Sequence, residues 1–484
     1  MKITRQCMLT GMLVLIATLV MVTPVSADPY LGGDRLVTDN GTYGTVSGGL
    51  WFDAYGAFEY AYENPITKTF VLPCDPEDVE WARLYVSSYI GNMQANYPLN
   101  TTVEFNGGGG YGTLGIEIMD TNYVYPISAA NGTGTIWFNG HFNRVTSDCL
   151  MWYDVKDEIN SSSVTARVQT THPNGGQPFD GRVKMIALVV AYNDDDSDQI
   201  HYWVNQGHDT DSAVADTAGQ FYIGDTDFDT TVVTNPGEAS LTAIYLGSYN
   251  ANYEFNNIVL PWANPLIGTY LGAQSWDVTN YLTGGDSVMK FDRNTTTGGP
   301  YSGYFKIPLA LLTVEDREFI YDFSDDTHGT AGDTLLAYEG GVGAQLPGTT
   351  NVPTTAITSY TNIEADDELS EVTEDVEGYA AHRFEFTIDQ SAEDVEKLTA
   401  TWVGRGSGSL EDGARFYIWD DTSEEYELLD ETFSAAETTL SGVITTEVSD
   451  YIDNGTVILL VVQNDNEDST LETNYVKLAV VREV

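Results

Sequence analysis

A chain of 484 residues carrying 72 Asp and Glu against 20 Lys and Arg, a formal net charge of −52, lacks the clustered cations that hold nucleic acid or an anionic membrane surface. Its 46 glycines, 30 tyrosines and 42% hydrophobic content describe a folded β protein large enough for several cores.

The first 27 residues read as a secretory signal peptide. Lys2 and Arg5 form the charged start, Met8 to Val22 is almost wholly apolar, and Val25-Ser26-Ala27 offers a small-residue cleavage site. The apolar run of about 15 residues is short for a bilayer span, which needs about 20. Cleavage removes two cations, so the mature charge is 18 minus 72, or −54. The expectation is an exported, soluble chain of extracellular or cell-surface location, with no transmembrane segment after cleavage and no anchor behind its last strand, Val476 to Val484. Export places Cys74 and Cys149 in an oxidising space, where a lone pair is a disulfide candidate; two buried thiols are the alternative.

Downstream, period-2 runs bounded by Gly, Asn and Asp recur, as in Thr135-Ile136-Trp137-Phe138 and Thr165-Ala166-Arg167-Val168. Helical periodicity is missing, save for single turns expected at Asp75 to Trp81 and Ser391 to Glu396. A four-glycine loop, Gly107 to Gly110, follows Phe105-Asn106; no helix follows it, so it is not a phosphate loop.

One pattern repeats three times. An acidic-Val turn appears as Asp154-Val155, Asp277-Val278 and Glu447-Val448, and 29, 28 and 29 residues after each valine comes a lysine in a closing strand: Lys184, Lys306 and Lys477. A similar strand lies upstream of each turn: Ala82 to Val86, Leu241 to Leu246 and Leu398 to Val403. The fold class expected is all-β, three tandem antiparallel β-sandwich (jelly-roll-like) modules at 28–207, 208–324 and 361–484, with a linker-like stretch at 325–360 marked by Gly340-Gly341 and Pro347-Gly348. The third module is the most acidic. From Thr355 onward 31 acids stand against 6 bases, a net of −25.

Chemistry-bearing motifs are sparse. Nucleophile elbow, His-Glu-x-x-His, paired-Cys and phosphate-loop signatures are absent, so no catalytic residue and no bound cofactor is expected. His201 and His208, with Asp209 and Asp211, lie in an expected loop and form a weak metal cluster. Calcium, the one cofactor considered, has weak candidates in Asp194, Asp195, Asp196 and Asp198 and in Asp225, Asp227 and Asp229; the latter begins like an EF-hand but has Pro236 at its twelfth position. Asn464 to Asp468 is a third acidic loop. Glycosylation sequons occur at Asn40, Asn100, Asn131, Asn160, Asn294 and Asn454. Trp51, Trp137, Trp152, Trp203 and Trp419 could form sugar platforms, although most of them alternate with polar residues in strands, so a core position is the expectation for each.

The run Phe179-Asp180-Gly181-Arg182-Val183 through Ile186 to Tyr192, then His201 to His208, resembles an uncharacterised family, a domain of unknown function, of secreted archaeal proteins frequent in methanogens. Trp81 to Val86 and Trp152 to Val155 fit the same pattern, and the resemblance covers about residues 31–314. The C-terminal region resembles acidic β-sandwich domains of archaeal surface proteins. The resemblance implies an envelope location and assigns no catalytic residue. The function expected is a non-enzymatic envelope glycoprotein with a structural, adhesive or assembly role, its partners other envelope proteins or surface polysaccharide. The alternatives are a polysaccharide-binding protein and an extracellular hydrolase.

Overall fold

The computed structural model describes residues 32–62, 64–90, 98–119, 135–145, 148–172, 180–194, 199–211, 223–247, 251–261, 270–293, 305–324, 334–350, 352–367 and 369–482. The described residues are 65% strand and 5% helix, and the chain divides into two compact units, 1–315 and 316–484. The expected signal peptide lies outside the described residues.

The first unit contains β1 (Gly32–Val46), β2 (Gly49–Tyr55), β3 (Glu59–Tyr60), β4 (Ile66–Val71), β5 (Val79–Tyr89), β6 (Leu99–Asn106), β7 (Gly112–Met119), β8 (Thr135–Asn139), β9 (Phe142–Val145), β10 (Asp148–Asp154), β11 (Ser163–Thr170), β12 (Arg182–Tyr192), β13 (Gln199–Asp211), β14 (Ile223–Phe228), β15 (Pro236–Leu246), β16 (Ala251–Phe255), β17 (Ile258–Val259), β18 (Leu271–Asp277), β19 (Ser287–Arg293) and β20 (Phe305–Asp316). A seven-stranded sheet, ordered β2-β12-β5-β10-β9-β8 with β3 also on β12, faces the four-stranded sheet β4-β11-β6-β7. Phe70, Leu84, Val103, Met151, Val164 and Ile186 fill the space between them. The second sandwich sets β1-β13-β20-β15-β18 against β14-β19-β16-β17, around Trp203, Phe228, Tyr253, Phe255 and Met289.

The two larger sheets also pack on each other. Tyr85, Leu150, Met185 and Val189 from the first meet Val204, Ile244, Leu271 and Leu309 from the second. The unit is therefore four sheets deep, and its inner strands are covered on both faces. That is why Met185 to Ala191 reads as an unbroken apolar run while β6, in an outer sheet, alternates buried and half-buried residues.

The repeat is structural. In sheet order the lysine strand, the upstream strand and the turn strand lie side by side as β12-β5-β10 and as β20-β15-β18. Val155 and Val278 are buried beside the 3-10 turns Lys156–Glu158 and Thr279–Tyr281, where the chain leaves an inner sheet for an outer one. The four-glycine loop packs against the first of these turns. A Cβ on Gly107 would overlap the carbonyl oxygen of Glu158, and Gly108 and Gly110 hold positive φ. We expect Gly107→Ala to cost about 1–3 kcal/mol through overpacking against backbone, read as a lower denaturant midpoint.

The module boundaries differ from those expected. β1 and most of β13 fall within 28–207, yet they pair with each other, Tyr43 opposite Trp203, in the larger sheet of the second sandwich. Composition cannot reveal a pairing between strands some 150 residues apart.

The second unit contains β21 (Glu318–Asp322), β22 (Leu335–Val342), β23 (Thr355–Ala356), β24 (Glu371–Asp375), β25 (Tyr379–Thr387), β26 (Val395–Ser407), β27 (Ala414–Asp420), β28 (Glu425–Thr432), β29 (Thr438–Ile444), β30 (Thr456–Gln463) and β31 (Ser469–Arg482). The sheet β21-β31-β26-β29, with β24 on β31, faces β23-β22-β25-β30-β27-β28 over Phe384, Phe386, Trp402, Phe416 and Leu459. The third repeat sits here as β31-β26-β29. In the linker-like stretch 325–360 the described residues, from 334 on, correct to sandwich: they supply β22 and β23. Its Gly340-Gly341 pair is strand, opposite Ala381 and Ala380, and glycine is needed at 341 because a Cβ there would overlap the Asp375 carboxylate. The outward positions Thr399, Thr401 and Lys477 are half-buried, where their counterparts on β5 and β12 are enclosed between sheets.

Candidate functional site

Two of the repeat lysines converge on one carboxylate between the two sandwiches of the first unit. Lys184 Nζ lies 2.6 Å from Asp148 Oδ1 and Lys306 Nζ 2.5 Å from Asp148 Oδ2, all three side chains buried. Lys184 reaches the interface as the extra residue of a β-bulge, since Val183 pairs with Ser88 and Met185 with Ser87. On β20 the alternation slips at Pro308: Lys306, Leu309 and Leu311 face the first sandwich, whereas Ile307, Ala310 and Leu312 join the core of the second. Burial pushes the Asp148 carboxyl up, but the two ammonium groups more than reverse this and hold it below the ordinary carboxylate range. For Lys306 burial acts downward and Asp148 outweighs it, leaving the ammonium above its usual value.

His208 Nε2 stands 3.8 Å from Asp148 Oδ2, and neither ring nitrogen has a hydrogen-bond partner among the described residues. Burial lowers its pKa to about 3. Between pH 6.5 and 3 the unfolded chain binds this proton and the folded one does not, so the His208 contribution to stability falls as pH falls. Asp34, on the adjacent strand, acts in the opposite sense because its pKa is raised. We expect His208→Asn to flatten the acid side of the stability profile, checked by denaturant midpoints at pH 7 and pH 4.5 for both proteins.

Above this cluster the interface opens to solvent. A hollow of 260 Å³ is lined by Asp34, Val37, Gln206 and Gly207 of the second sandwich and by Trp137, Gly140 and Trp152 of the first. It adjoins a hollow of 540 Å³ that shares Gly140 and Trp152 and adds Arg83, His141, Tyr153, Asp154 and Glu158. Trp137 is 52% exposed and rests edge-on against Trp152, ring centroids 5.8 Å apart. The walls are fixed by hydrogen bonds. Arg83 Nε donates to Asp154 at 2.7 Å and its Nη1 to Gln206 Oε1 at 2.7 Å, while the Tyr85 hydroxyl donates to the same oxygen at 3.0 Å. Glu117 accepts from the Tyr153 hydroxyl at 2.9 Å and contacts His141 Nε2 at 2.8 Å. Burial raises the Asp34 pKa to about 6 against the opposing hydrogen bond from Asn143 Nδ2, 2.6 Å away.

The sequence-nominated residues fare differently. Cys74 and Cys149 are free thiols. Cys149 pairs with Ser88 near the end of β5, whereas Cys74 lies near Tyr192, which pairs with Val79 at its start. Nine residues of strand separate those points, about 30 Å, far beyond the Cα separation a disulfide spans. Asp225 and Asp227 bind Arg35, with Nη2 2.8 and 2.9 Å from their carboxylates, and Asp229 accepts from the backbone N–H of Thr231. Asp194 is tied to Ser47 through its N–H; Asp195, Asp196 and Asp198 lie outside the described residues. Asp465 accepts from the N–H groups of Glu411 and Glu467, so the third acidic loop folds around its own carboxylate. Among the described residues no group of three or more His, Cys, Asp or Glu side chains is placed to hold a metal ion. His201 and His208 are in strand β13, not a loop, and point to opposite faces: His201 stacks by Trp203 on one, His208 nears Asp148 on the other.

Of the sequons, Asn160 and Asn454 are exposed, Asn100 is half-buried in β6, and Asn131, Asn294 and the Asn40 side chain lie outside the described residues. Trp152, Trp203 and Trp419 are buried; Trp137 departs from the core position expected of it. Asp148, Asp34 and Gln206 went unnoticed in the sequence. The signal for the ion cluster was a lone lysine inside two apolar strands, because a buried lysine needs a partner.

Fold and site together define an all-β, multi-sandwich protein with a cleft at the seam of two docked sandwiches. Residues 29–315 match the family model described as "Protein of unknown function (DUF3344)", and the chain belongs to that family. Residues 332–482 match a second model, described as "Uncharacterized protein, C-terminal domain". Comparison with the curated proteins finds no match. Solved structures similar to the chain include PNGase F, a glycosylasparaginase from Flavobacterium meningosepticum (11% identity, 57% of this chain and 96% of that one, TM-score 0.19). A CBM22 tandem domain from Paenibacillus barcinonensis Xyn10C is similar at 13% identity over 58% and 93%, TM-score 0.23. The ANX2 ectodomain from Arabidopsis thaliana is similar at 9% over 58% and 97%, TM-score 0.18. TM-scores this low carry no functional argument. No helix among the described residues is long and apolar enough to cross a membrane.

Proposed function

We propose that this is an exported, non-enzymatic cell-envelope protein whose first unit binds a saccharide in the Trp137 cleft, giving it an adhesive role. The observation that carries the reading is Trp137, half exposed, braced by Trp152, and flanked by fixed polar groups from both sandwiches. An exposed indole face stacks on the C–H face of a sugar ring, while the surrounding carboxylate, amide and guanidinium groups fix its hydroxyls. The acidic exterior keeps the chain soluble until cations or a partner surface screen it.

The test is binding of the mature chain to neutral oligosaccharides by calorimetry. We expect Trp137→Ala to weaken binding roughly 10- to 100-fold, about 1.4–2.7 kcal/mol, with thermal melting unchanged. Equal affinity in the variant would remove the cleft from the account.

A further inference from the structure

Three features of the cleft bear on which saccharide it takes. Gln206 is 6% exposed and lines the smaller hollow; its Oε1 is held by Arg83 and Tyr85, and no acceptor among the described residues receives its Nε2–H groups. The amide N–H groups on the wall of the hollow are therefore open to an acceptor bound there. Asp34 lines the same hollow and is held there by a neutral amide, Asn143. The nearby cations are engaged elsewhere: Arg83 pairs with Asp154, and Lys184 and Lys306 with Asp148.

Resting on the saccharide reading above, we infer that the cleft selects hydroxyl-bearing, uncharged sugars and rejects uronates, with Asp34 as the specificity-determining residue. A neutral sugar hydroxyl donates to Asp34 while another sugar oxygen accepts from Gln206. A sugar carboxylate in the same hollow would lie beside the Asp34 carboxylate with no lysine or arginine among the described lining residues to balance the pair, and desolvation strengthens that repulsion. The other ionisable groups on the elements around Asp34 leave it as the titrating gate: His208, opposite it on β13, is neutral, Asp148 on β10 is charged and paired, and Arg83 on β5 is committed. Protonating Asp34 turns the acceptor into a donor and removes the repulsion.

The experiment compares neutral gluco-, manno-, galacto- and xylo-oligosaccharides with oligogalacturonate by titration calorimetry of the mature full-length chain. Salt at about 0.3 M screens the protein's overall negative field, so that only the local contact discriminates. At pH 8 we expect at least one neutral oligosaccharide to bind, and oligogalacturonate to bind about tenfold more weakly or not at all. That ratio should shrink at pH 5 in the wild type, and at both pH values in Asp34→Asn. The pH comparison on the unaltered protein keeps the inference testable should the variant misfold. Equal binding of oligogalacturonate at pH 8, or a ratio that neither pH 5 nor Asp34→Asn reduces, overturns the inference while leaving the saccharide reading intact. Binding of no saccharide, or binding indifferent to Trp137→Ala, overturns both.

Discussion

Asp148→Ala is expected to destabilise the first unit by about 3–5 kcal/mol, because it leaves two buried ammonium groups facing each other without a counterion. The loss should localise. In hydrogen exchange, β10, β12 and β20 would lose protection while β26 and β31 keep theirs. Replacing the set with apolar residues of similar volume, Asp148→Leu with Lys184→Met and Lys306→Met, removes all the buried charges at once and should be neutral or stabilising by about 1–4 kcal/mol. The contrast between the single and triple variants separates loss of a partner from loss of packing. The carboxyl is held below its ordinary range when folded, so its contribution is complete above the unfolded pKa and is lost only as pH falls below about 4 through the depressed folded value.

Trp402→Ala should cost the second unit about 3–5 kcal/mol. The indole is fully buried at the centre of that sandwich, and it anchors a polar chain. Trp402 Nε1 donates to Thr473 Oγ1 at 2.8 Å. The Thr473 hydroxyl lies 2.7 Å from His382 Nδ1, His382 Nε2 3.0 Å from Thr373 Oγ1, and the Thr373 hydroxyl donates to Glu339 at 2.6 Å. One proton assignment satisfies every member: Thr473 donates to Nδ1, and Nε2–H donates to Thr373. Burial keeps His382 neutral, its pKa lowered to about 3, as the relay requires. Trp402→Phe keeps most of the ring and removes the N–H, so it should cost less than the alanine variant but more than area alone implies. Chemical denaturation followed by fluorescence and circular dichroism measures both.

Much of the architecture was legible in the chain. The acidic-Val turn and the lysine 28 or 29 residues later marked equivalent strands in all three sandwiches, because the valine that opens each 3-10 turn is buried where the chain crosses to the facing sheet, and the lysine strand is the one that returns. The pairing of β1 with β13 was not legible, since residues such as Thr38 and Asn205 carry no local trace of each other. The 325–360 stretch misled for a physical reason: Gly340-Gly341 reads as flexible, whereas glycine is there because the Asp375 side chain crosses the strand. The site was least legible. Lys184 and Lys306 were singled out as repeat markers, but their convergence on Asp148 depends on a bulge and on a slip at Pro308 that no periodicity encodes. Trp137 sits between apolar neighbours, Ile136 and Phe138, as a core residue would, and only its place on the β8–β9 hairpin leaves it in water.

Hydroxyl-radical footprinting of the protein, with and without a saturating neutral oligosaccharide, tests saccharide binding in the Trp137 cleft most directly. The account predicts loss of labelling at Trp137, with Tyr60 and Phe433, exposed elsewhere, unchanged. Undiminished labelling of Trp137 in the bound complex would contradict it.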